Sequence, residues 1–124
     1  MSHRTPITAV VTGASSGIGL AIAQAFLSRG DRVVGNGRSL DRLQTAAATL
    51  GGGDRFLPVS GDIGHPQTAE RVFDDAERAF GRVDILVNNA GIFVAKPVVD
   101  YTDEDLDALL VTNLRGFFYA TRRA

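Results

Sequence analysis

Residues 7 to 19 leave this chain few folds to choose from. Ile7-Thr8-Ala9-Val10-Val11 is a short, β-branched run that breaks at Thr12-Gly13. Such side chains favour extended backbone, and a run without polar alternation suits a strand buried on both faces. Gly13-Ala14-Ser15-Ser16-Gly17-Ile18-Gly19 follows, and beyond it the apolar spacing turns helical. Each glycine has a physical use. Gly13 permits a tight turn off the strand, Gly17 lets the backbone approach a ligand without a Cβ in the way, and Gly19 lets the helix pack closely on the strand. The amides that open the helix, at the positive end of its dipole, suit an anion. The Ser15 and Ser16 hydroxyls either cap those amides or bond a phosphate. The plain alternative is a structural connection with serine as N-cap. The spacing, Gly-x-x-x-Gly-x-Gly after Thr12, differs from the common Gly-x-Gly-x-x-Gly dinucleotide turn and lacks the Gly-Lys-Ser/Thr of a triphosphate loop.

The rest of the chain alternates in the same sense. Helical spacing predicts helices over 17–29, 39–50 and 66–80, and β-branched or apolar runs predict strands over 32–36, 55–59 and 83–87. Ile18, Ile22, Ala25 and Phe26 are expected on one face of the first helix, closed by Gly30. Ser39 is the expected N-cap of the second helix, with Leu40, Leu43 and Ala47 on its apolar face and glycines 51–53 ending it. Pro66 stands near the start of the third helix and Gly81 just past its end. Strand and helix alternating three times imply βαβ units and a parallel sheet covered on both faces; right-handed crossovers narrow this to a doubly wound sheet. Residue 102 onward reads as helix, with Leu106, Leu109, Leu110, Leu114, Phe117 and Phe118 at helical spacing. No glycine or proline terminates it, which suggests a chain cut inside an element.

Three motifs then carry a resemblance. Thr12-Gly13-Ala14-Ser15-Ser16-Gly17-Ile18-Gly19 matches the cofactor turn of the short-chain dehydrogenase/reductase family. Asn88-Asn89-Ala90-Gly91, after the fourth strand, matches its second hallmark, and Val111-Thr112-Asn113-Leu114-Arg115-Gly116 resembles its third. They occur in the family's order and span essentially the whole chain, which implies the N-terminal portion of an NAD(P)-binding Rossmann domain over residues 1–124. The resemblance also implies a truncated sheet of strand order 3-2-1-4, an exposed edge at strand 4, a last helix short of neighbours, and a parent that is a homodimer or homotetramer. Such exposed surfaces invite association.

A ribose-reading residue is expected at the end of the second strand. An acid there would bond both ribose hydroxyls and repel a 2′-phosphate. This chain has Gly37 at that point, followed by Arg38, whose guanidinium suits a phosphate. Ser39 and Asn36 are possible helpers. The expectation is therefore NADP, with NADPH preferred over NADH. Asp62 resembles the family's adenine-bonding Asp, and Ile63 is expected to pack on the ring. Asn89, Ala90, Gly91 and Ile92 are expected beside the middle of the cofactor, with one of Asn88 and Asn89 holding strands instead. Asp84 is expected to pair with backbone or a nearby Arg.

In the resembled family hydride passes between the nicotinamide and a carbonyl or alcohol carbon, with Tyr, Lys, Ser and Asn handling the proton. A phenol of ordinary pKa near 10 needs a neighbouring cation before it works at neutral pH. Of the four, only Asn113 is assigned here, as a relay residue buried in the apolar face of the last helix. Tyr-x-x-x-Lys is absent: Tyr101 is followed four residues on by Asp105 and Tyr119 by Arg123, and Ile92 precedes Lys96 by four. Tyr119 is read as helix surface. The chain alone is expected to be inactive. Substrate determinants are expected mainly past residue 124, with a contribution from residues 93–99, so the substrate is not legible here; the resemblance implies only a small carbonyl or alcohol compound for the complete parent.

Composition narrows the remainder. Thirteen basic and fourteen acidic residues, interspersed, mark no nucleic-acid or membrane surface. There is no Cys, and His3 and His65 stand far apart, so no metal site is expected. No stretch reaches membrane-spanning length, and a cytoplasmic protein is the default. Three rival readings are a non-catalytic NADP-binding or interaction module that naturally ends here, another Rossmann-type enzyme such as a methyltransferase, and an extended sugar-nucleotide epimerase or reductase. A methyltransferase would want an acid rather than Gly37-Arg38, and the epimerase's glycine spacing usually differs.

Overall fold

The computed structural model describes residues 5–91 and 96–124; His3, Ile92 and residues 93–95, named above, lie outside them. Four parallel strands, β1 (Thr8–Thr12), β2 (Arg32–Gly37), β3 (Phe56–Ser60) and β4 (Ile85–Val87), form one sheet in the order β3-β2-β1-β4. Register places Val10 opposite both Val34 and Leu86, and Val34 opposite Leu57. The crossovers are α1 (Gly17–Ser28), α2 (Leu40–Leu50) and α3 (Pro66–Phe80). After β4 come α4 (Asp103–Leu109), a wider turn over Leu110–Arg115, and α5 (Gly116–Arg123). The fold is the doubly wound α/β architecture expected from the alternation.

Period-two alternation divides the core. Val10, Val34 and Val59 point to one face and pack with Val72, Phe73 and Ala76 of α3 and Ala120 of α5. Val11 and Val33 point to the other and pack with Ala23, Leu27, Leu43 and Phe56 beneath α1 and α2. Every β1 residue is buried, as a strand covered on both sides requires.

Helix ends follow local chemistry. Ser39 caps α2 by accepting from the Arg42 amide at 3.2 Å, and Gly51 closes it in the left-handed region (φ 66°). Thr102 and Asp105 form a reciprocal capping box at the start of α4. Lys96 pairs with Asp105 there.

Several faces differ from expectation. The contact face of α1 is Gly19, Ala23 and Leu27, with Leu20, Ile22 and Phe26 at its margins; Ile18 is 73 % exposed and Ala25 is exposed. Small residues make the close contact, so the face is rotated from the one that bulky side chains suggest. Leu40 is likewise exposed, because it is the first residue past the cap. Along the C-terminal helices Leu106, Leu110, Leu114, Phe117 and Phe118 are all exposed, while Gly116 and Ala120 make the contact with the body. Tyr119 is half-buried at the edge of the core beside Phe118, not surface as expected. Arg123 fixes α5 to α3 through Glu70, Asp74 and Glu77 at 3.0, 2.9 and 3.2 Å. None of the described helices is long and apolar enough to cross a membrane.

Asp84 ties the head of β4 to β1. Its Oδ2 accepts from the Thr8 amide at 2.9 Å, its own amide donates to the Thr8 carbonyl, and Arg82 pairs with it. The Thr8 hydrogen bond, with help from Arg82, holds its carboxyl below the usual carboxylate range. A depressed folded-state pKa contributes stability above the unfolded value, near 3.9, and that contribution disappears as pH falls through the folded value. Acid unfolding should therefore contain a component that starts below about pH 4 and is missing in Asp84→Asn. Denaturant melts of both proteins between pH 7 and 3 check this; parallel curves would refute it.

Candidate functional site

The carboxyl ends of β1 and β4, where the chain's order reverses, open onto a cavity of about 370 Å³. Open α/β sheets bind ligands at such a switch point. Gly13, Ser15 and Ser16 form one wall, Gly37, Arg38, Ser39 and Arg42 a second, Gly61, Asp62 and Ile63 a third, and Ala90, Gly91 and Thr112 the remainder.

The turn that begins α1 is built for close approach. Gly13 has φ 65°, and a Cβ there would lie 3.0 Å from the Ala90 Cα. A Cβ on Gly19 would overlap the Gly13 carbonyl oxygen and reach 2.5 Å from Asn89 Nδ2. Gly17 is different: at φ 57°, a Cβ added to it would meet no atom within 4 Å, so its surroundings are open. Ser16 occupies the N-cap position of α1 yet makes no side-chain capping bond. The first amides of α1 thus lack the side-chain cap that Ser39 supplies to α2.

Thr12 locks this turn to the end of β4. Its Oγ1 accepts from the Asn89 amide at 3.0 Å and the Ala90 amide at 2.9 Å, and donates to the Val87 carbonyl at 3.5 Å. Asn89 Nδ2 donates to the Gly13 carbonyl at 3.1 Å. Asn88 Nδ2 donates instead to Thr121 Oγ1 at 3.2 Å, joining the same strand end to α5. Both asparagine amides therefore hold structure, one of them the turn itself.

Of the residues singled out in the sequence, Gly13, Ser15, Ser16, Arg38, Ser39, Asp62, Ile63, Ala90 and Gly91 line the cavity. Gly17, Ile18 and Gly19 sit at or behind its helix N-terminus, and Asn89 braces it. Asn36 lines it too, but its amide is buried and donates to the Val59 and Gly61 carbonyls at 3.0 and 3.1 Å, stitching β2 to β3. That side chain is spent on the scaffold, contrary to its expected helping role. Asp62 Oδ1 accepts from the Gly64 amide at 2.9 Å, leaving its other oxygen 3.8 Å from His65 Nε2. Ile63 is 4 % exposed, with its Cγ2 beside Gly116, so its side chain belongs to the core.

Asn113 is exposed rather than buried, because the apolar face around it is itself uncovered. Its Oδ1 lies 3.1 Å from where a Gly91 Cβ would be, which puts it at the Gly91 end of the cavity. It stands in the widened turn, where the Gly116 amide bonds the Val111 carbonyl five residues back. Such turns recur at functional sites.

Arg42 and Thr112 are cavity residues that the sequence alone does not single out. Arg42 follows Arg38 by four residues, and Thr112 precedes Asn113 within a motif already quoted; both spacings are visible in the sequence.

A short chain dehydrogenase family model matches residues 7–124. The NADP-dependent (R)-specific alcohol dehydrogenase of Lentilactobacillus kefiri is 46 % identical over 114 residues, 92 % of this chain and 45 % of that protein. A short-chain dehydrogenase/reductase of the glucose/ribitol dehydrogenase type from Brucella melitensis superposes with a TM-score of 0.91 at 37 % identity, over 95 % of this chain and 50 % of that one. L-Sorbose reductase from Gluconobacter frateurii, solved with NADPH and L-sorbose, superposes with a TM-score of 0.86 at 36 % identity, over 95 % and 46 %. The chain spans about half the length of the relatives it matches. Fold, motifs and sequence together identify this chain as a member of the short-chain dehydrogenase family.

Proposed function

We propose that the chain is the cofactor-binding portion of an NADP-dependent oxidoreductase that acts on a small carbonyl or alcohol compound in the complete protein. The observation that carries this reading is a single cavity that reaches Ser16, where α1 begins without a side-chain cap, and that two arginines also line. That pairing suits a molecule with a diphosphate and a further phosphate. In this reading Gly13, Ser15, Ser16, Gly17 and Ile18 hold the diphosphate, with Gly19 setting the helix in place. Arg38, beside Ser39, faces the 2′-phosphate. Asp62 and the Ile63 backbone meet the adenine, and Asn89, Ala90 and Gly91 flank the central ribose. Bound there, the dinucleotide would supply hydride chemistry. Asn113 would organise water for proton transfer at the Gly91 end. The uncovered Leu/Phe stripe of α4 and α5 would serve subunit pairing in the parent.

The sequence holds no Tyr-x-x-x-Lys, and Lys96 is engaged with Asp105. A missing general acid/base costs roughly 10²–10⁴ in rate, so turnover by this chain alone should be negligible. Binding is the appropriate assay. Titration followed by nicotinamide fluorescence should show NADPH binding at least about tenfold more tightly than NADH, each charge-assisted contact being worth about that much. Arg38→Asp should remove the preference. Equal affinities in the unmodified chain would defeat the assignment.

A further inference from the structure

We propose that Arg42 is a second arm of the 2′-phosphate site, so that discrimination between the two nucleotides is shared by two arginines rather than carried by Arg38. The inference rests on reading the cavity as an NADP site. Arg42 lies in the first turn of α2, and it and Arg38 line the same cavity. Among the described residues neither guanidinium makes a hydrogen bond or ion pair, whereas Arg55, Arg78, Arg82 and Arg123 each hold an oxygen partner. Asp41, the carboxylate on this turn, lines the groove between α1 and α2 and does not line the cavity. Arg42 lines that groove as well, yet it pairs with neither Asp41 nor Asp62, the carboxylate that does line the cavity.

The Ser39 hydroxyl accepts from the Arg42 amide, which commits its acceptor side to the helix cap. The cap does not use its O–H, the group that a phosphate oxygen would accept from. A phosphate monoester presents three terminal oxygens, and one guanidinium pairs with two of them at most. A second guanidinium lining the same wall supplies donors for the third. The positive end of the α2 dipole adds to the same field.

Calorimetric titration of the 124-residue chain with adenosine 2′,5′-bisphosphate and adenosine 5′-monophosphate separates this subsite from the nicotinamide half. Arg42→Ala should weaken the bisphosphate roughly tenfold and leave the monophosphate within about twofold. Arg38→Ala should behave alike, and the double variant should lose more than either. Arg42→Gln, which keeps the length of the stem, should reproduce the loss if charge is responsible. Unchanged bisphosphate affinity in both Arg42 variants, with Arg38→Ala impaired, would overturn the second arm and leave the NADP reading standing. Equal loss of both nucleotides in Arg42→Ala would mean a displaced helix and would also overturn it. Equal affinity of the unmodified chain for the two nucleotides, or affinity for neither, would defeat the NADP reading itself and this inference with it.

Discussion

Gly19→Ala should abolish dinucleotide binding and destabilise the chain more than any other single methyl addition to the turn. The added carbon would overlap the Gly13 carbonyl oxygen, lie 2.5 Å from Asn89 Nδ2 and 2.8 Å from the Gly13 carbonyl carbon. Two of those three atoms are backbone, and the third already bonds Gly13. No side-chain rotation relieves the overlap, so either α1 moves off the sheet or the Gly13 turn does. Both movements displace the amides that open α1. Overpacking of this kind costs about 1–3 kcal/mol and more when backbone must shift; the upper end applies here, a melting temperature lower by roughly 10 °C. Gly17→Ala is the informative control. Its Cβ would meet no protein atom, and its cost is the left-handed backbone, about 1–2 kcal/mol. If a diphosphate passes over that glycine, Gly17→Ala loses affinity out of proportion to its stability. Thermal melts and NADPH titrations of the two variants distinguish packing from ligand approach. A Gly19→Ala chain that melts and binds like the parent would remove the physical basis assigned to this turn.

What the sequence makes legible follows from how local each signal is. The bounds of α3 are those expected, Pro66 to Phe80, because proline at the start and a left-handed glycine at the end are chemical stops. The Ser39 cap and Gly51 close of α2 are equally local. Sheet order comes through the motifs and the handedness of crossovers. The contact face of α1 is misread from sequence because a stripe of Gly19, Ala23 and Leu27 is invisible to a count of bulky apolar residues. Asn36 is misread because its partners, the Val59 and Gly61 carbonyls, lie more than twenty residues away, in β3 and just past it. The apolar spacing around Asn113 predicts burial that the structure does not show. Spacing tells which residues share a face, not whether anything covers that face. Arg42 escapes notice because one more arginine on a helix surface carries no signal until the cavity places it beside Arg38.

Thr12 reveals most about how the cavity is held together. It is 2 % exposed, and its one oxygen serves Asn89 and Ala90 as acceptor and Val87 as donor. The carboxyl ends of β1 and β4, which bound the cavity, are thereby fixed to each other through a side chain. Thr12→Val keeps the shape and β-branching but removes the acceptor. The Asn89 amide retains the Val87 carbonyl at 3.1 Å, whereas the Thr12 hydroxyl is the partner found for Ala90. A part-buried donor left unmade costs about 1–3 kcal/mol, and weakening the second bond raises the expected loss to about 2–3 kcal/mol. Thr12→Ser preserves the oxygen and should cost less, chiefly through the missing methyl. Denaturant midpoints rank the two variants, and hydrogen exchange at the Ala90 amide should speed up in Thr12→Val alone. Because Asn89 also holds the Gly13 carbonyl, a loosened β4 end propagates to the Gly13 turn, and NADPH affinity should fall in Thr12→Val while Thr12→Ser stays close to the parent. Matching midpoints and matching exchange at Ala90 in Thr12→Val and the parent would show that the two strand ends are held by something other than this hydroxyl.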